Sequence, residues 1–315
     1  MEKIIYDTDI GGDCDDAGTL GMLHRLCDKG EAELLAVTHC FSSPYVAGCI
    51  DAINNFYGRR VPVGVNYQIK HTDRGTYAGA LSTLFENKYP PEKFGTENGP
   101  CDTLYLLRKI LSEAEDNSIT LVVTGTVASM ARLLRSEPDE ISSLSGKEMI
   151  EKKLKRTVVM GGRFFESWPM TIFPDGTSQG NPVTWEWNIK FSDLNDVKTV
   201  CNEWNSELVF SSYEIGSYIK TMNDYPLRAR KGDPIALAYE IYNRGKGRCS
   251  WDQTAMLEAV RPGVYWNYHP FGRIYADDDS VTHFKAEESG KHTYLLPKID
   301  YEEIRLVIDD LMDGK

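Results

Sequence analysis

The chain has 315 residues, 41% of them hydrophobic and 26% charged, the balance of a globular protein able to bury a large core. Its formal net charge of −12, from 35 basic and 47 acidic residues, argues against nucleic acid or an anionic membrane as a partner. No apolar run is long enough to cross a bilayer.

Hydrophobic periodicity and turn residues predict the elements in order. A strand at Ile4–Asp9 leads into a helix at Ala17–Leu26, which Asp28-Lys-Gly30 ends. A strand at Glu33–Thr38, a helix at Pro44–Tyr57 and a short strand at Pro62–Val65 follow. Such βαβ units predict a parallel sheet with helices on both faces and ligands beyond the strand C-termini. Asn66–Gly99 is polar and rich in Gly, Tyr and Pro; it reads as a long loop over the site, with a short helix at Leu81–Glu86. Then come a helix at Cys101–Glu115, a buried strand at Ile119–Thr124, a turn at Gly125–Ser129 and a helix at Met130–Ser136. Lys147–Lys155 carries mixed charge and predicts a solvated helix; Thr157–Met160 predicts a strand ended by Gly161-Gly162. Arg163–Thr184 is irregular, and Asn188–Ser192 predicts a strand or loop. A helix at Asp193–Trp204, a strand at Glu207–Ser211, a helix at Ile235–Arg244 and a helix at Ser250–Val260 come next. Tyr265–Thr293 alternates between turn signals, which predicts an antiparallel hairpin, and Tyr301–Met312 predicts a closing amphipathic helix. There is no internal repeat or linker, so residues 1–315 read as a single α/β domain with a mostly parallel central sheet flanked by helices and a small C-terminal antiparallel hairpin. No signal-peptide pattern precedes the first strand. The seven cysteines, odd in number and without metal-type spacing, read as reduced thiols. Both predict a cytoplasmic protein.

The chemistry concentrates in Asp7-Thr-Asp-Ile-Gly-Gly-Asp-Cys-Asp-Asp16, where five carboxylates lie within ten residues between a strand and a helix. On one strand, Asp7 and Asp9 would share a face, and Gly11-Gly12 allow a sharp turn. Asp15 and Asp16 would sit at the first helical turn, where free N–H groups and the helix dipole favour carboxylates. Carboxylates so crowded repel each other unless some are protonated or a hard cation lies among them, and an all-oxygen set suits Ca²⁺ or Mg²⁺. An EF-hand loop counted from Asp7 fails, because position twelve is Gly18. A strand followed by Asp-x-Asp is also similar to phosphatases of the haloacid dehalogenase type. In that reading Asp7 is a nucleophile with Mg²⁺, and Asp277-Asp278-Asp279 stands in for the late acidic motif, but Asp13, Asp15 and Asp16 go unexplained.

The stretch Asp7–Ala17 resembles more closely the signature of the inosine–uridine preferring nucleoside hydrolase family, usually Asp-x-Asp-Pro-Gly-x-Asp-Asp-Ala. Here Ile10 replaces the proline and two residues are added before the paired aspartates. Val122–Ala131, Val158-Val-Met-Gly-Gly162, Gly180-Asn181 with Glu186-Trp-Asn188, and Ser250-Trp-Asp252 resemble further elements of the family in the same order. The resemblance implies Ca²⁺ as cofactor, held by Asp9, Asp16, the Ala128 carbonyl and Asp252. It implies ribose hydroxyls bound by Asp15, Asn181, Glu186 and Asn188, with Asp9 as general base toward water and Asp7 behind it, orienting the motif. The substrate implied is a small nucleoside, and a homo-oligomer, dimer or tetramer, is expected. In the inosine–uridine group a histidine precedes the last aspartate; here that position is Trp251, which implies stacking on the leaving base, with His71 the alternative acid. His39 is a further candidate, and His24, inside a helix, reads as structural. A Ca²⁺-loaded nucleoside or sugar binder without turnover is the reading from another functional class. Asp13 has no assigned role.

Overall fold

The computed structural model describes residues 1–70, 77–164, 171–172, 178–179 and 185–314. Its main sheet begins with β1 (Glu2–Thr8), β2 (Ala32–His39), β3 (Val63–Val65), β4 (Cys101–Asp102), β5 (Ile119–Val123) and β6 (Leu154–Met160). Leu208–Ser211 and His292–Pro297 continue it beyond β6, and Gly272–Ala276 and Thr282–Ala286 close that edge. From β4 to His292–Pro297 the neighbouring strands are parallel; the antiparallel pairs are those of the late hairpins. β1 lies between β2 and β5. The chain therefore leaves β1 toward one edge, then returns at β5 and builds toward the other. That reversal opens a crevice at the strand C-termini, where ligands of such sheets bind.

Burial on both faces explains the runs of apolar residues: every residue of β5, Ile-Thr-Leu-Val-Val, is buried. Side-chain alternation divides β1 between the two layers. Ile4 and Tyr6 join the core under α1 (Asp15–Asp28), and Ile5 joins the core on the other face. The helix Trp251–Val260 is buried at every position and packs against α1. Both helices start at the crevice, so two helix N-termini face one place.

Several expectations are corrected. Asn188 lies in a short helix, Trp187–Lys190, not a strand, because Glu186 caps it through the amides of Asn188 and Ile189. The Gly146–Lys153 helix is not simply solvated: Met149 and Ile150 are fully buried, while the charges face out. The helix in the long connection runs Tyr77–Leu84, earlier than predicted, with Tyr77, Ala78 and Leu81 buried. Cys101–Asp102 pairs with β3 before the following helix begins. The antiparallel pair Lys220–Asn223 with Lys246–Cys249 was not foreseen. Among the described residues, no helix is long and apolar enough to cross a membrane. Among the described residues no disulfide joins the cysteines.

Candidate active site

β1 ends at Thr8, one residue before the predicted end. Alternation sends Asp7 and Thr8 to opposite faces, and Asp9 lies past the strand. Asp7 turns to β2, where Thr38 Oγ1 donates to its Oδ1 at 2.5 Å; burial raises its carboxyl to about 7. Thr8 turns to α1 and donates to Asp16 Oδ1. Thr124, just past β5, donates to the same oxygen at 3.1 Å, and Tyr6 OH lies 3.5 Å from it. One Asp16 oxygen is thus held by hydroxyls. Burial and the charge of Asp13 raise its carboxyl to about 7 against those bonds.

At the reversal point the carboxylates of Asp13, Asp15, Asp16 and Asp252 each place an oxygen within 4.8 Å of the others. Asp15 and Asp16 occupy the first turn of α1, and Asp252 the first turn of its helix. Both helix ends supply free N–H groups and positive dipole ends, which explains how the sequence tolerates the crowding. Loss of water and mutual repulsion raise Asp15 and Asp252 well above the ordinary carboxylate range. Asp9 stands half-buried beside this group. Desolvation, then Asp16, Asp13 and Glu186, raise its carboxyl as well.

Asp13 differs. Burial pushes it up, but the charge of Arg248, a bond with Asp15 and the hydrogen bond from Arg248 hold it below the ordinary value. Arg248 Nη2 donates to Asp13 Oδ2 at 2.6 Å. The loop that carries Asp13 turns at Gly11, whose φ of 119° suits only glycine, whereas Gly12 needs no such freedom. Tyr77 clamps this turn: its fully buried hydroxyl accepts from Gly11 N at 2.9 Å and donates to Asp13 O at 2.7 Å. His39 Nε2 lies 3.1 Å from Ile10 O and steadies the other side. His24 is structural, hydrogen-bonded to Asn54 at 2.9 Å and stacked on Tyr57.

Glu186 accepts from Asn188 N at 2.7 Å and from Ile189 N and Gly162 N, each at 3.1 Å. Burial raises its carboxyl to about 7 in spite of these amides. A carboxylate has about four acceptor positions, so one is left for a ligand. Asn188 Nδ2 donates to Thr124 O at 2.7 Å and Met160 O at 3.2 Å, joining the ends of β5 and β6. Trp251 donates to Tyr213 O at 2.9 Å, stacks on Tyr213 at 5.5 Å and carries the Arg248 guanidinium 4.7 Å from its ring centre. Ala128 opens the buried helix Ala128–Leu134. His71 and Asn181 lie outside the described residues. The phosphatase-like late motif is a turn: Asp277 bonds His283 and the amides of Asp279 and Val281, and exposed Asp278 pairs with Lys198. Neither belongs to the carboxylate group.

Thr8, Thr124, Tyr77 and Arg248 have no counterpart in the sequence reading. Thr8 and Thr124 did carry a signal, a hydroxyl residue inside each of two motifs.

The donor set fits a hard divalent cation. It is all oxygen, mostly carboxylate, and Asp15 Oδ1 is buried without a hydrogen bond, which is costly unless a ligand meets it. Fold and site together define a doubly wound α/β protein with an all-oxygen carboxylate group that could hold a cation at its topological switch point. Residues 4–285 match the inosine-uridine preferring nucleoside hydrolase family, and the chain belongs to that family of N-glycosyl hydrolases. An inosine-uridine preferring nucleoside hydrolase from Bacillus anthracis is similar over 100% of both chains, with a TM-score of 0.70 and 18% identity. An inosine-guanosine nucleoside hydrolase is similar over 99% of each chain, with a TM-score of 0.69 and 17% identity. A purine-preferring ribonucleoside hydrolase from Gardnerella vaginalis covers 99% of this chain and 98% of its own, with a TM-score of 0.68 and 14% identity. At such identities the likeness establishes the fold. No curated protein sequence matches the chain.

Proposed function

We propose that the protein hydrolyses the N-glycosidic bond of a ribonucleoside, giving free base and ribose, with Ca²⁺ as its cofactor. The observation that carries this reading is the group of carboxylates at the crevice beside β1, in a chain of the nucleoside hydrolase family. Asp9, Asp16, Asp252 and the Ala128 carbonyl would hold the ion. When bound, the ion supplies positive charge that acidifies and positions the attacking water. Asp9, whose carboxyl is pushed up by burial and its acidic neighbours, takes the proton of that water as general base. Asp15 and Glu186 accept hydrogen bonds from ribose hydroxyls, together with Asn181 and Asn188. Asp15 Oδ1, buried and unbonded, and the remaining acceptor position of Glu186 suit that role. As the bond to the base breaks, the sugar acquires oxocarbenium character, and the surrounding carboxylates stabilise that charge most where it is largest, in the transition state. The leaving base is met by Trp251 or, as an acid, by His71.

The test is a panel of purine, pyrimidine and nicotinamide ribosides scored for reducing sugar with Ca²⁺ present. No release from any of them would refute the reading, and stoichiometric nucleoside binding without turnover would favour a silent binder instead. Asp9→Ala is expected to lose turnover far more than binding of a ribose analogue.

A further inference from the structure

Arg248 stands beside the group of carboxylates. It lies on Lys246–Cys249, the strand paired with Lys220–Asn223, and its guanidinium enters the carboxylate group from the side. Nη2 donates to Asp13 Oδ2 at 2.6 Å. Nε lies 3.9 Å from Asp15 Oδ1, and both atoms are buried without a hydrogen bond. The guanidinium sits 4.7 Å from the ring centre of Trp251 and 5.3 Å from that of Tyr242. Two aromatic rings and a carboxylate therefore fix it, and an arginine does not give up its proton. The site carries one permanent positive charge of its own.

Its partner is equally particular. Asp13 falls in the two residues by which this motif exceeds the usual signature, so the added carboxylate and the guanidinium form a pair, drawn from positions 235 residues apart. The Tyr77 clamp on the Asp13 carbonyl holds the carboxylate toward Arg248 rather than leaving it to swing in the loop.

The geometry points to Arg248 as a resident counter-charge that lowers the site's affinity for a divalent cation by cancelling Asp13, one of the four clustered carboxylates. This rests on the metal-dependent reading given above. Asp15, Asp16 and Asp252, with Asp9 beside them, then supply the net charge that the ion meets. Arg248 thereby trims the affinity of a site that, with Asp13 uncancelled, would hold its cation more tightly. A prop that merely held Asp13 in place would act the other way, since its loss would loosen the site.

The experiment is calorimetric titration of the chelator-stripped full chain with Ca²⁺ alone, on a double-mutant cycle. Arg248→Met keeps the aliphatic stem against the rings and removes the charge; it is expected to bind Ca²⁺ tighter by at least about tenfold. Asp13→Asn keeps the shape and leaves Arg248 uncancelled; it is expected to bind at least about tenfold weaker. The double variant should return to within about threefold of the starting protein, because the two charge changes cancel. Arg248→Lys gives up the stacked guanidinium but keeps the charge beside Asp13, and covers the case in which Arg248→Met does not fold; because the charge is what counts, it should also stay within about threefold. Weaker or unchanged binding in Arg248→Met, or a tenfold shift in Arg248→Lys, would overturn the proposal and leave the metal reading intact. Starting protein that binds no Ca²⁺ would overturn both.

Discussion

Asn188 is the position where substrate binding and architecture can be separated. Its side-chain nitrogen donates to Thr124 O and Met160 O, and the residue is buried. The amide orientation is fixed by this surrounding, since its oxygen would repel both carbonyls. Asn188→Leu keeps the volume and removes both donors. Each carbonyl then stays buried with an unmet acceptor, at about 1–3 kcal/mol apiece, partly offset by the apolar side chain, so the net loss is about 2–4 kcal/mol. For a chain of this size that lowers the thermal midpoint by roughly 3–6 °C. The measurement is thermal unfolding of both proteins in excess chelator, so that ion binding does not enter, alongside turnover with Ca²⁺ restored. A midpoint unchanged within about 1 °C, with turnover lost, would refute the structural bridge and leave a ligand contact alone. Asn188→Asp should be worse than Leu, because it turns a carboxylate toward two carbonyls and Glu186.

Tyr77→Phe removes one hydroxyl and two bonds to the motif turn while the ring stays packed; Ca²⁺ affinity should fall roughly tenfold, and unchanged affinity by calorimetry would count against the clamp. At Gly125 an added Cβ would lie 2.7 Å from Cys40 Sγ and 3.0 Å from Asp9 N, so Gly125→Ala should displace Asp9 and cut kcat more than substrate affinity; an active variant with normal kcat would contradict this placement. Chelation should lower the thermal midpoint near neutral pH, because the clustered carboxylates then repel without a counter-ion, and Ca²⁺ should restore it. His24 supplies a pH effect away from the site. Burial lowers its pKa from 6.5 to about 3, so the unfolded chain takes up the proton first as pH falls. The stability tied to the neutral ring is complete above about pH 6.5 and declines toward about pH 3. Between about pH 7 and about pH 4.5 the protein should lose roughly 2–3 kcal/mol more than His24→Gln, read as the difference between their urea unfolding curves; parallel losses would refute it.

The parts of the site that lie on local motifs were readable before the structure. Asp15 and Asp16 follow a strand-turn-helix pattern, and Asp252 sits two residues into a helix with a recognisable start, so local pattern put all three at helix starts, while the family resemblance implied that Asp252 joins the other two. The sheet was readable for the same reason, since buried parallel strands are continuous apolar runs. What escaped depends on partners far along the chain. Tyr77 reaches Gly11 across 66 residues and Arg248 reaches Asp13 across 235, and no local pattern marks either. Trp187–Lys190 is too short to show helical periodicity, and its start depends on the Glu186 carboxylate, which caps the turn that follows. Met149 and Ile150 were hidden by the charges around them: two buried neighbours at a helix face give little periodic signal in eight residues.

The position of β1 has a consequence for how the molecule comes into being. β1 is made well before its neighbour β5, which follows only after more than a hundred residues, and Asp252 comes much later still. Every close carboxylate pairing with Asp252 is a long loop closure, whose entropy must be met before any contact rewards it. A growing chain therefore carries Asp7–Asp16 as an unmated acidic segment until the Trp251–Val260 helix docks. Cation capture should mark the last stage of folding: chains released before that helix, and refolding molecules sampled early, should bind Ca²⁺ weakly.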